Sequence, residues 1–419
     1  MRKVLLLLML AFFCNQLFAQ SNNNKIKVFL DCSWMCDFDY VRNEMKMVDF
    51  VRDRFDADVH VLVNSQHSSS GGTQPTLIFI GQKNFSNQQD TLSYFNDPTT
   101  TQDDQRKKMV KYLKFGLVRY LSKTSVADQL EINYSAPSAN GKTETPVNDK
   151  WNNWVYQLGT NGNINGSQNY KQHSVYGYFS ADKETEKWKI NLNASANREV
   201  QTFIQDSVES KFVRKQYSAY SNVARAIDQH WSYGLSADFK NSLFSNIRSG
   251  ISFKPKIEYS LLPYSRYNTE RIVVDYEIGP VYNNYYDSTI FLKTHEVLMQ
   301  QGASLISSFT KPWGTLNLGM FFNAYFDDFS KNQLQFIGAV TWKIFKGFNF
   351  GIYGNYGLIH DQIGLRKGSF TRDELLVKNR ELKSSFEYNL GMGISYRFGS
   401  IMNNIVNPRF KGLSYSISF

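Results

Sequence analysis

The chain has 419 residues, a formal net charge of +10 and a mean hydropathy of −0.42, yet 15% of it is aromatic. A helical membrane protein needs runs of about 20 apolar residues, and the only notable run here, 4–13, is too short. Low hydropathy, abundant aromatics and no such helix point to a β-barrel rather than a helical membrane protein or a soluble enzyme, and the scattered Lys and Arg argue against a nucleic-acid partner.

Residues 1–19 read as a signal peptide. Arg2 and Lys3 give the positive start, 4–13 the apolar stretch, and Leu17-Phe18-Ala19 the cleavage site. The mature chain is therefore expected outside the cytoplasm. Cys14 lies within the apolar stretch without small residues before it, so no lipid anchor is expected there.

A front domain is expected over 20–123. A strand at 26–29 leads into Asp31-Cys32, and Asp37 can cap a helix on which Val41, Met45, Val48 and Val51 recur at spacings of three and four. Strands at 59–66 and 76–81 are joined by HSSSGGTQ, in which Gly71-Gly72 marks a hairpin turn and not a phosphate loop, because no helix follows. Thr101 with Asp104 opens a second helix with Met109, Leu113, Leu117 and Tyr120 on one face. The order βαββα suffices for a two-layer α/β domain.

Cys32 and Cys36 flank the first strand-to-helix turn, in Asp31-Cys32-Ser33-Trp34-Met35-Cys36-Asp37. In an oxidising compartment a local disulfide is the leading reading. Buried free thiols, or a metal or redox centre completed by Asp31, Asp37 or Asp39, are the alternatives. Metal ordinarily takes four ligands, and no His lies nearby in sequence, so neither metal nor cofactor is expected.

Residues 124–150 are polar, contain Pro137 and Pro146, and read as a linker. From 151 to 419 the pattern is mainly β. The clearest case is 382–398, where Leu382, Phe386, Tyr388, Leu390, Met392, Ile394, Tyr396 and Phe398 alternate with polar residues or glycine. Strands of this length, repeated and closed, form transmembrane antiparallel barrels. Twelve are expected, near 153–160, 172–181, 187–197, 211–224, 229–240, 246–258, 270–283, 291–308, 314–326, 332–344, 348–359 and 382–398. Those at 211–224 and 291–308 are placed by spacing alone. An even number brings both ends of the barrel to the periplasmic side, beside the front domain. Trp154, Trp188, Trp231, Trp313 and Trp342 then form an aromatic belt there, and 361–380 becomes an outside loop.

Gly393-x-x-Tyr396-x-Phe398 resembles the closing-strand signal read by the outer-membrane barrel assembly machinery. The alternating end LSYSISF offers Phe419 as a second terminal signal, in which case a further strand closes the barrel. Phe345-Lys346-Gly347 and the ending Leu382…Tyr396-Arg397-Phe398-Gly399 resemble uncharacterised outer-membrane barrels of the salt-induced family. With Asp-Cys…Cys-Asp-Phe-Asp-Tyr at 31–40, the whole chain looks like a larger exported family. The resemblance implies an outer-membrane location with a periplasmic N-terminal domain, and it carries over no established activity.

The expected function is a non-enzymatic barrel, serving as anchor, scaffold or pore, surrounded by outer-membrane lipid, whose front domain contacts a periplasmic or envelope partner. The alternative is a hydrolase acting on lipid or peptide at the extracellular rim, with His360-Asp361 as the base pair. No G-x-S-x-G nucleophile motif accompanies that pair. The lumen charges Lys383, Glu387 and Arg397 are expected to pair across the interior.

Overall fold

The computed structural model describes residues 25–32, 35–67, 72–133, 149–205, 208–368, 381–407 and 409. The signal peptide, most of the linker and Phe419 lie outside the described residues.

The front of the chain forms a mixed sheet of β1 (Lys27–Asp31), β2 (Asp49–Phe50), β3 (Val59–His67), β4 (Thr73–Gly81) and β5 (Gln89–Ser93), in the order β2-β1-β3-β4-β5. β1 runs parallel to β2 and β3, and β4 is antiparallel to β3 and β5. A long helix, Gln102–Leu121, packs on this sheet through Met109, Leu113, Leu117 and Tyr120, all buried. Its start follows from sequence: Thr101 Oγ1 accepts from Asp104 N–H at 3.2 Å. At Gly116 an added Cβ would lie 2.1 Å from the Phe79 ring, so only glycine permits this approach of helix to sheet.

Two features depart from the expected βαββα order. β2 and β5 are additional strands at the sheet edges, too short to show a period. The first helix, Phe38–Glu44, is capped by Asp37 as expected but ends before Val48 and Val51. Those two residues are buried because the chain turns back into β2, where Asp49 N–H and Val51 N–H donate to Ile26 O and Val28 O.

Cys32 and Cys36 are joined by a disulfide. In the chain-entropy account, closing so short a loop stabilises by about 2 kcal/mol. Among the described residues no cluster of His, Cys, Asp and Glu could hold a metal.

The second sheet has twelve antiparallel strands, each paired with the next in sequence. They are β6 (Trp154–Gly166), β7 (Tyr170–Glu184), β8 (Trp188–Gln205), β9 (Val208–Ala226), β10 (Trp231–Ser242), β11 (Ile247–Ser260), β12 (Glu270–Tyr285), β13 (His295–Lys311), β14 (Gly314–Tyr325), β15 (Asp328–Phe345), β16 (Phe348–Ile359) and β17 (Phe386–Tyr396). Each overlaps an expected strand, including the two placed by spacing. β13 hides its period partly because Gln301 shares the outward face, where its side-chain oxygen accepts from Tyr276 OH at 2.9 Å.

Register gives the sheet two chemically opposite faces. Tyr259, Val274, Leu305, Met320, Phe336, Tyr356 and Tyr388 form one unbroken cross-strand row from β11 to β17, and every member is exposed. On the other face Ser236, Lys254 and Ser304 are buried. There Lys254 Nζ meets Glu277 Oε1 at 2.9 Å, Ser236 Oγ donates to the other Glu277 oxygen at 3.3 Å, and Ser252 Oγ donates to Asp238 at 2.9 Å. The sheet is thus apolar outside and polar inside, the reverse of a water-soluble sandwich.

Among the described residues β6 and β17 are the two edges of this sheet and do not pair with each other. Tyr396 ends β17 and Phe398 lies just beyond it, while Gly393 stands within the strand. The lumen charges also differ from expectation. Lys383, Glu387 and Arg397 form no ion pair among the described residues, whereas Lys254–Glu277, Arg214–Glu199 and Lys311–Glu270 do. The physical reason is register: Glu387 faces Gly357 on the single ladder that β17 makes, and Lys383 and Arg397 lie outside that strand.

Candidate functional site

Both ends of the twelve-stranded sheet are crossed by other parts of the chain. The near end, where the front domain sits, begins β6, β8 and β10 with Trp154, Trp188 and Trp231. Trp313 directly precedes β14, and Trp342 pairs with Gly314, so all five tryptophans lie at this end. Connection length does not distinguish the ends, since 326–327 at the far end is as short as 346–347 at the near end.

The front domain reaches several separate pieces of the near end. Asn64 Nδ2 donates to Asn268 O in the β11–β12 connection. Around the β15–β16 turn, Arg54 donates to Lys343 O at 3.0 Å, Lys346 Nζ pairs with Asp56, and Gly347 N–H donates to Asp53 at 2.6 Å. The segment after β17 lies along β2: Val51 bridges Met402, and Asn404 caps Phe50 N–H and bonds Asp49. These contacts span from the β11–β12 connection to the segment after β17 and dock the domain on this end of the sheet.

At the centre of this joint lies a three-residue cluster. Asp31, the last residue of β1, accepts from His60 Nε2 at 3.1 Å and pairs with Lys343 from β15. His60 is fully buried against Phe29, over whose ring Lys343 Nζ also sits at 5.2 Å. Burial alone would raise the Asp31 carboxyl, but the His60 hydrogen bond and the Lys343 charge outweigh it and hold the group below the usual carboxylate range. A cavity of about 520 Å³ opens beside this joint, lined from one side by 52–56 and from the other by the β15–β16 turn and 396–401.

At the far end, the chain leaving β16 crosses to strands well beyond its ladder neighbours. Arg366 bridges Thr289 and pairs with Asp287 at 3.4 Å, and its guanidinium donates to Leu243 O at 2.6 Å. Ile290 N–H donates to Leu365 O, and Asn246 Nδ2 to Gly364 O. Within this strap Ile363 and Leu365 are buried. The returning chain is tied as well, with Glu381 N–H donating to Phe244 O.

His360 and Asp361 open this strap, and no hydrogen bond or ion pair joins their side chains among the described residues. His360 Nδ1 lies 3.4 Å from Asn332 Oδ1. Burial, with Glu381 nearby, pushes the Asp361 carboxyl up. The joint cluster was invisible to sequence reasoning, because Asp31 and Lys343 are 312 residues apart. A lysine at the end of an otherwise amphipathic strand, beside a Phe-Lys-Gly-Phe turn, was the only signal available.

No family model matches the chain, and no curated protein matches it either. Among solved structures, the NanC porin in a rhombohedral crystal form is 11% identical, covering 57% of this chain and 99% of its own at a TM-score of 0.28. The translocator domain of the autotransporter NalP from Neisseria meningitidis is also 11% identical, covering 70% of this chain and 98% of its own at a TM-score of 0.25. Likeness at this level carries no inference about the present chain.

Proposed function

We propose that the chain is an outer-membrane β-barrel that works without catalysis, as a closed anchor presenting its front domain to envelope partners on the periplasmic side. The observation that carries this reading is the inversion of the twelve-stranded sheet. Seven exposed apolar side chains in one cross-strand row would be a severe liability in water and are the normal surface in lipid. The tryptophans gathered at the near end suit an interfacial belt. That end is the periplasmic one in this reading, because the front domain docks there. The strap over 361–368 then faces outside.

Protease added to intact cells tests the orientation. The front domain, 25–123, is expected to stay whole, while cleavage is expected at Lys367, which is exposed, or at Arg372. Arg366 is not an expected cut site, since its side chain is 14% exposed and held by Asp287. Cleavage within the front domain of intact cells would overturn the orientation.

A further inference from the structure

We propose that the cavity at the joint binds the phosphate group of a glycerophospholipid. Its volume, about 520 Å³, lies in the range of about 300–1,000 Å³ usual for small-ligand sites. Five cationic side chains line it. Two are engaged, Lys343 by Asp31 and Lys346 by Asp56. The other three are Arg52, Arg54 and Arg397, and none of them meets a carboxylate among the described residues. Arg52 Nε donates only to Met402 O at 3.1 Å. Arg54 stacks on Phe55 at 4.7 Å and donates from Nη2 to Lys343 O at 3.0 Å, while its buried Nε–H has no acceptor among the described residues. The lining Asp53 is occupied by backbone N–H groups of Phe55 and Gly347 at 3.0 and 2.6 Å.

Three guanidinium groups that line one cavity without a carboxylate partner call for an anion with several acceptor oxygens, and phosphate matches their forked geometry. The rest of the lining selects a phosphate that carries an acyl chain. Tyr396 and Phe398 border the cavity, and Tyr396 shares its face of β17 with Ile394, Met392 and Leu390, which are 66%, 70% and 62% exposed. A headgroup in the cavity would thus lay its chains along a continuous apolar strip. The phosphate chemistry stands on the cavity alone, while the lipid source rests on the membrane placement proposed above.

The test titrates the full chain in non-ionic detergent with dihexanoyl phosphatidylglycerol, with dihexanoylglycerol lacking phosphate, and with inorganic phosphate, followed by calorimetry. The phosphatidylglycerol is expected to bind best, and Arg52→Gln with Arg397→Gln to weaken it by about tenfold for each guanidinium lost. Lys187→Gln, a cation in the β7–β8 turn at the same end, should leave binding unchanged. Equal binding of the neutral lipid overturns the phosphate assignment, and equal binding of inorganic phosphate overturns the lipid source. Wild-type binding by the double variant overturns the site. Insertion of that variant into lipid vesicles is scored in parallel, so that failure of the site and failure of the membrane reading give different results.

Discussion

The purified full chain, reconstituted into a planar bilayer, is expected to carry no steady current. Both openings of the sheet are crossed, the near one by the front domain and the far one by 361–368. Between them the polar face is partly filled, with Lys254 and Ser236 buried around Glu277. A barrel of twelve strands has limited interior room, which lumen side chains can fill. Removing either cover alone leaves the other in place. Stepwise current should appear only when 25–123 are deleted and 361–381 are replaced by a short Gly-Ser link in the same molecule. Steady conductance from the unaltered protein would contradict closure at the ends. Silence of the doubly altered protein would shift the block to the lumen side chains.

Asp31→Ala should loosen the front domain from the barrel while both sheets stay folded. The substitution strands the Lys343 ammonium and leaves His60 Nε2–H without its acceptor in a fully buried ring. Removing one partner of a buried ion pair costs about 3–5 kcal/mol. Here the Asp31 and Lys343 side chains are 18% and 27% exposed, so solvent screening lowers the expectation to about 2 kcal/mol. Faster hydrogen exchange in β1 and β3, unchanged in β12, would show it. Lys343→Met should cost less, because His60 still serves the carboxylate. The pH dependence has a definite sign. The Asp31 pKa is held below its unfolded value of about 3.9, so its contribution is fully present above that value and is lost as pH falls through the folded pKa. Docking should therefore be insensitive to this group near neutrality and loosen only in strong acid, and Asp31→Ala should abolish that acid step.

The barrel strands were legible because a two-residue period survives wherever one face meets an apolar surroundings and the other a polar one. In β17 the alternation is unbroken from Phe386 to Tyr396, and in β12 the exposed Val274 and Tyr276 enclose Asp275. Caps were legible too, since Asp37 and Thr101 act on amide groups within three residues. What escaped was whatever depends on distant partners. β2 is two residues long and exists only because β1 offers its edge. The pairing of Lys254 with Glu277 follows from register and not from the pattern along either strand. The joint is least legible of all, because many of its acceptors are backbone carbonyls such as Lys343 O and Met402 O, which any sequence supplies.

The central claim is that the outward face of the twelve-stranded sheet meets lipid. A fluorescent label carried on single cysteines at 274 to 278 of β12, in membranes containing lipids with a quencher on the acyl chain, reads this directly. Labels at Val274, Tyr276 and Ile278 should be strongly quenched and labels at Asp275 and Glu277 spared, following the two-residue period of the strand. Uniform protection along all five positions, or quenching at 275 and 277 instead, would contradict the membrane-spanning assignment.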